Sequence, residues 1–181
     1  MQVVETELKG CYIINPTIVE DERGYFFESF NQKKFEQLTG ESGIFVQDNQ
    51  SNSSYGVVRG LHAQRGEFAQ AKLVRVLSGK VLDIAVDVRP NSPTFGKYVA
   101  IELSSENKKQ LYVPRGFLHG FSVLSESVDF FYKCDNFYNK ESEYGVIYND
   151  KDLNIDWKVP TSSMLLSAKD VVLGSLKDLK L

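Results

Sequence analysis

Val74-Arg-Val-Leu-Ser-Gly-Lys-Val-Leu-Asp-Ile-Ala-Val-Asp-Val-Arg89 reads as two β-branched runs joined by the turn signal Ser78-Gly79-Lys80. The pattern continues C-terminally. Tyr98-Val-Ala-Ile-Glu-Leu103, Gln110-Leu-Tyr-Val113 and Val128-Asp-Phe-Phe-Tyr-Lys133 are further β-branched or aromatic runs, with Arg89-Pro-Asn-Ser-Pro93 and Ser104-Ser-Glu-Asn-Lys108 as breaks. Strands at such short, regular spacing predict an antiparallel sandwich or barrel. Before them, Asn31 is placed to cap a short helix that carries Phe35 and Leu38 and ends at Gly40. From about Tyr138 the chain is more polar and reads as irregular loops followed by a last helix. That helix is expected to begin at Ser167, with Asp170 three residues on as the acid of a capping box. No repeat, low-complexity tract or linker interrupts the chain, so residues 1–181 read as one domain.

Hydrophobic content of 42% and charged content of 25% are those of an ordinary globular protein. A net charge of -3 and a pI near 5.5 speak against a partner that is nucleic acid or membrane. The N-terminus has acidic residues where a signal peptide needs an apolar run, and no stretch approaches a membrane span. Cys11 and Cys134 are far apart and form no Cys-x-x-Cys pair. They read as small hydrophobes in a reduced cytoplasm, not as a disulfide framework or zinc site. Nine Tyr and twelve Phe suit a barrel with a lined cavity.

The chain has two histidines, each inside an unusual phrase: Arg59-Gly-Leu-His62-Ala-Gln64 and Pro114-Arg-Gly-Phe-Leu-His119-Gly-Phe121. Histidine titrates nearest neutrality, so these two are the first candidates for proton transfer. Gly60 weakens a strand interior and marks a bend or a close approach of backbones. A metal-binding barrel of this size supplies a His-x-His pair, a Glu and another His. Gln64 stands where the second of the paired histidines would be, so no metal is expected. Strand alternation puts Lys72 on one face with Gln70 and Val74, and His62 with Gln64. It also groups Phe117, His119 and Phe121, and pairs Phe130 with Tyr132. Periodicity leaves open whether these faces point inward or to solvent. Turned inward they would line a pocket, where a lysine is costly unless an anion joins it. Read singly, each has an ordinary alternative. Lys72 would be a solvated strand lysine, Tyr132 a buried phenol, Arg23 and Glu28 turn and strand-edge charges, and Asp170 a helix-capping carboxylate.

Taken together, the phrases resemble one family. Asp21-Glu-Arg-Gly-Tyr-Phe-Phe-Glu28, Gln47-Asp-Asn-Gln-Ser-Asn-Ser-Ser54, Gly56-Val-Val-Arg-Gly-Leu-His-Ala-Gln64 and Gln70-Ala-Lys-Leu-Val-Arg-Val76 come in order. Asp87-Val-Arg-Pro-Asn-Ser-Pro-Thr-Phe-Gly96, Val113-Pro-Arg-Gly-Phe-Leu-His-Gly-Phe121, Tyr132-Lys133, Ile155-Asp-Trp157 and Leu166-Ser-Ala-Lys-Asp170 follow. The chain is similar in these stretches to the dTDP-4-dehydrorhamnose 3,5-epimerases.

That resemblance implies a mainly β, cupin-like jelly-roll barrel with a few short peripheral helices, working as a homodimer without metal or cofactor. It implies inversion of C3 and C5 of a dTDP-4-dehydro-6-deoxyhexose on the route to dTDP-L-rhamnose. By the same resemblance His62 is the base, Asp170 its orienting carboxylate, Tyr132 the acid on the opposite face, and Lys72 the support of the enolate charge. His119 is a sugar contact and Arg59 binds the diphosphate. Arg23 is donated from the neighbouring chain, with Phe26 and Glu28 by proximity. Gln47 and Asn49 contact the nucleotide, and Tyr138 the thymine, with adjacent Phe137 as an alternative. Glu143 and Lys169 complete the substrate-binding set. Two other readings remain open: an epimerase that inverts C3 alone or acts on a related dTDP-ketosugar, and a sugar-binding barrel without turnover.

Overall fold

The computed structural model describes residues 1–180, and its strands form largely where apolar or β-branched residues alternate with polar ones. The chain opens with β1 (Gln2–Glu5) and β2 (Tyr12–Asn15), then a small hairpin of β3 (Val19–Asp21) and β4 (Gly24–Phe26). Helix α1 (Gln32–Thr39) follows. The Asn31 side chain accepts a bond from Lys34 N, and Gly40 closes the helix in the left-handed conformation at φ 77°. Phe35 anchors the helix in the core, while Leu38 is exposed.

Next come β5 (Gln47–Ser54), β6 (Val58–Gln64), β7 (Lys72–Ser78), β8 (Lys80–Asp87), β9 (Tyr98–Ser104), β10 (Gln110–Val113), β11 (Phe117–Val123), β12 (Ser127–Cys134) and β13 (Glu143–Gly145). They pair antiparallel into a six-stranded sheet, β1-β2-β10-β7-β12-β5, and a five-stranded sheet, β13-β6-β11-β8-β9. The chain shuttles between the two sheets, and the architecture is a cupin-like jelly roll.

The core between the sheets joins Val74, Val76, Leu111, Val113, Val128 and Phe130 from one to Val81, Ala85, Val99, Leu103, Phe117 and Phe121 from the other. The faces bearing Val74, Phe130, Phe117 and Phe121 therefore point inward, which settles the question periodicity left open. Trp157 and Leu153 of the C-terminal region cover the opposite face of the five-stranded sheet with Leu82, Ile84 and Val86.

In place of the expected last helix, Asp170–Val172 and Leu176–Asp178 form single 3₁₀ turns. The capping contact itself forms, since Asp170 N donates to Ser167 Oγ at 3.2 Å. Propagation stops because Asp170 turns its carboxylate to the sheet, and Val171-Val172-Leu173-Gly174 is a weak helix-forming run.

Candidate active site

One end of the space between the sheets is left open as a cleft. Its main chamber, about 480 Å³, is lined by Arg59, His62, Lys72, His119, Tyr132 and Asp170 among others. A side lobe of about 140 Å³ adds Gln47, Asn49, Gln64, Tyr138 and Glu143, and shares His62, Lys72 and Tyr132 with the chamber. This size suits a small organic ligand.

Two glycines bring the histidines together. Gly60 sits at φ 122°, and a Cβ there would lie 2.6 Å from Gly120 Cα and 2.8 Å from His119 O. The close approach expected at Gly60 is therefore real. It lets β6 and β11 meet with His62 and His119 as direct cross-strand partners, next to a register shift.

His62 Nε2 is 2.7 Å from Asp170 Oδ1. Both atoms are buried and neither has an aligned hydrogen bond, so the contact is electrostatic, with the N–H direction missing the oxygen. Burial pulls the His62 pKa below the ordinary imidazole value, and the charge of Asp170 opposes this only in part. Asp170 Oδ2 accepts a bond from Ser167 Oγ at 2.8 Å. Asp170 thus serves as turn cap and as histidine partner at once, because the turn lies beside the cleft.

Lys72 and Tyr132 project from β7 and β12 of the facing sheet. Lys72 Nζ lies 5.7 Å from the Tyr132 ring centroid and pairs with no carboxylate among the described residues. Burial lowers the lysine pKa, and an anion bound beside it would favour its charged form again. Burial first, then the nearby Cys134, raises that of Tyr132, which stays a neutral phenol.

The rim is a polar chain. Tyr138 OH donates to Glu143 Oε2 at 3.2 Å, and Lys169 Nζ pairs with Glu143 Oε1. Gln47 Oε1 accepts from Tyr138 N at 3.1 Å, and Gln47 Nε2 donates to Asn49 Oδ1 at 3.1 Å. Tyr138 lines the lobe, whereas the Phe137 side chain is exposed and its carbonyl accepts from Gln64 Nε2. Gln64 is fully committed: Nε2 donates to the Phe68 and Phe137 carbonyls, and Oε1 accepts from Asn139 N.

Sequence reasoning missed three residues. Ser53 Oγ accepts from both Nε and Nη2 of Arg59, at 3.2 and 3.1 Å, and so fixes that guanidinium. Ser167 orients Asp170. Asp83, wholly buried, meets His119. Two of them left a signal: Ser167 as the start of a capping box with Asp170, and Asp83 as a carboxylate in the middle of the apolar run Val81-Leu-Asp-Ile-Ala-Val86.

A family model described as dTDP-4-dehydrorhamnose 3,5-epimerase matches residues 5–178. The chain belongs to the dTDP-4-dehydrorhamnose 3,5-epimerase family. It is accordingly an isomerase of the epimerase class. The enzyme of that name from Shigella flexneri is 53% identical over 171 residues, covering 94% of this chain and 93% of its own. A crystal structure of the epimerase from Elizabethkingia anophelis superposes with a TM-score of 0.96 at 65% identity, over 98% of this chain and 97% of that one. The dTDP-6-deoxy-D-glucose-3,5-epimerase of Legionella pneumophila, solved with dTDP-4-keto-L-rhamnose, gives 0.94 at 47% identity over 99% and 94%.

Within this epimerase-family chain, three of the expected substrate contacts lie outside the cleft. The Arg23 side chain is 85% exposed on the β3–β4 hairpin and pairs with Asp21. Phe26 beside it is 73% exposed. Glu28 is held by Lys34 at 2.8 Å and by Asn31. None of the three lines the chamber or the lobe. No helix of the described residues is long and apolar enough to cross a membrane.

Proposed function

We propose that this chain inverts C3 and C5 of dTDP-4-dehydro-6-deoxy-D-glucose, giving dTDP-4-dehydro-L-rhamnose in dTDP-L-rhamnose biosynthesis. One observation carries the assignment of roles: His62 stands on one sheet, Tyr132 and Lys72 on the other, with the cleft between them. Inversion requires that a proton leave one face of the sugar and return to the other, and the two sheets supply the two faces.

The C4 ketone acidifies the hydrogens at C3 and C5, so no cofactor is needed to form the carbanion. His62, neutral because it is buried, takes the α-proton. Negative charge moves to the ketone oxygen as the enolate forms, and Lys72 meets it in a poorly solvated place where a cation acts most strongly. Tyr132 then protonates the carbon from the other face and the ketone is restored. Solvent takes the proton from His62 and returns one to Tyr132, and the cycle repeats at the second carbon.

Asp170, charged and adjacent, offsets the imidazolium formed in the first step. Arg59, fixed by Ser53, suits a diphosphate oxygen pair. Gln47, Asn49 and Tyr138 suit the nucleotide end, with Glu143, Lys169 and His119 about the sugar. The exposed Arg23, Phe26 and Glu28 segment is assigned to the neighbouring site of a homodimer, since none of the three lines the cleft of its own chain. The enzyme is placed in the cytoplasm, in keeping with its two free thiols.

The test is to incubate the protein alone with dTDP-4-keto-6-deoxyglucose in deuterated buffer and follow both carbons by NMR. Deuterium at C3 and C5 with inversion at each is expected. Incorporation at C3 alone would make it a mono-epimerase, and binding without incorporation would make it a sugar-binding barrel.

A further inference from the structure

The contact between His62 and Asp170 does not by itself hold the carboxylate in place. The Asp170 side chain is 4% exposed, and its Oδ1 lies 2.7 Å from His62 Nε2 without an aligned hydrogen bond. Such a contact sets a distance, but it has too little direction to fix the plane of a carboxylate. Among the described residues a single hydrogen bond reaches that carboxylate, from Ser167 Oγ to Oδ2 at 2.8 Å. The same Oγ accepts from Asp170 N at 3.2 Å, and Ser167 O accepts from that N–H at 3.1 Å. Serine and aspartate close a ring, with Oδ2 engaged and Oδ1 turned to His62.

Ser167 is in turn tied to the strand that carries His62. Two residues before it, Leu165 donates its N–H to Gly56 O at 2.9 Å and accepts from Val58 N at 3.0 Å. Val57 and Leu165 thereby pair as a parallel bridge just before and at the opening of β6. Gly56 permits the approach, since a Cβ there would run into Ser163 O. The path from β6 through Leu165, Ser167 and Asp170 to His62 therefore returns to its own strand. Its one link made by a side-chain hydroxyl is Ser167. That residue is exposed, so solvent is available to the hydroxyl, yet it is turned to the carboxylate.

We infer that Ser167 is a positioning residue of the reaction: its hydroxyl holds the Asp170 carboxylate so that Oδ1 stays against His62 during proton transfer. This rests on the epimerase reading and adds to it the group that sets the geometry of the pair. Asp170 and Glu143 favour the protonated form of His62, whereas Lys169 and Lys72 oppose it. His119 on β11 and Tyr132 on β12 also face it. Without the hydroxyl the carboxylate is free to turn Oδ1 away. His62 then loses the stronger of the two charges that favour proton uptake.

The test compares Ser167→Val with Ser167→Thr, which share a shape and differ in the hydroxyl. Ser167→Val is expected to lower kcat at least about tenfold, with the Kd for dTDP within about twofold. Ser167→Thr should recover most of that rate. A role in the turn alone would lower the melting temperature without this split, so a wild-type kcat per folded molecule in Ser167→Val would overturn the proposal. Because Ser167 acts through Asp170, adding Ser167→Val to Asp170→Ala should cost nothing further, and a full further loss would also overturn it. A second readout needs no turnover. In ¹⁵N-histidine-labelled protein, with the two rings assigned by comparison with His119→Asn, His62 should titrate lower in Ser167→Val than in wild type and return in Ser167→Thr. An unmoved or higher His62 titration in Ser167→Val would sink the inference. If Ser167→Val does not fold, Ser167→Ala is held to the same criteria, with a smaller loss expected because water can enter the gap. A wild-type protein that leaves the ketosugar unconverted would overturn the epimerase reading, and the His62 titration would then decide whether Ser167 positions Asp170.

Discussion

Removing the His62 imidazole separates proton transfer from binding. His62→Ala deletes the only histidine with a misaligned, charge-coupled carboxylate, while Arg59, Ser53 and the nucleotide lobe stay intact. Deuterium wash-in at both carbons should fall by about 10²–10⁴-fold, with dTDP affinity unchanged by calorimetry. Tyr132→Phe should behave differently. The ring keeps its place beside Phe130, and His62 can still remove a proton and return a solvent-derived one to the same face. Inversion should be slow with wash-in persisting, and inversion at the normal rate would hand the acid role to water or another group. The pH profile gives a third handle. His62 must be neutral to accept a proton, and burial holds its pKa below the ordinary value. The acid limb of kcat/KM should therefore lie below that of free imidazole. Asp170→Asn removes the charge that opposes this shift, so the limb should move to still lower pH as the rate falls. Movement to higher pH would mean that the limb reports a different group.

Pairs of strands, more than single residues, hold this site in register, and Gly60 shows the sensitivity. A methyl there would meet Gly120 Cα at 2.6 Å on a backbone at φ 122°, where an L-residue is strained. Gly60→Ala should cost about 1–3 kcal/mol in urea unfolding. Because it pushes apart the strands bearing His62 and His119, it should also depress kcat in the fraction that remains folded. Strands β7 to β10 and β12 were legible because their runs are β-branched or aromatic. β5 was not, since Gln47-Asp-Asn-Gln-Ser-Asn-Ser-Ser54 is wholly polar. It is a strand because it pairs with β12 along its length, and it is polar because it is an edge whose inward residues Gln47, Asn49 and Ser53 serve a polar cleft. At the C-terminus the cap signal at Ser167 was real, but its acid was claimed by His62, so a local rule met a tertiary demand. In the cleft, alternation paired His62 with Gln64, Lys72 with Val74 and Tyr132 with Phe130, but which way each face pointed was fixed only by the packing of the two sheets. No spacing rule reveals that Asp83 meets His119, because that contact runs between neighbouring strands and is fixed only by the β8–β11 register.

At the scale of the whole molecule, the hairpin of β3 and β4 presents Arg23, Tyr25 and Phe26 to solvent, away from the chamber. A guanidinium, an apolar ring and a phenol together on a small projecting hairpin suit the phosphate and flat base of a nucleotide held elsewhere. In the proposed homodimer, that place is the partner's cleft. The assignment has a test that needs no structure of the dimer. Arg23→Ala and His62→Ala are each expected to be weak or inactive alone, with Arg23→Ala losing mainly affinity. The two are then unfolded, mixed and refolded so that subunits exchange. If Arg23 serves the neighbouring site, a mixed dimer has one site with both defects and one with none. Activity should recover to roughly a quarter of wild-type sites, because about half the dimers are mixed and each has one sound site. If Arg23 serves its own chain, every site in the mixed dimer has one defect and nothing recovers. Recovery from the mixture, against none from either variant refolded alone, therefore distinguishes an enzyme whose sites are completed between subunits from one whose sites are complete within each.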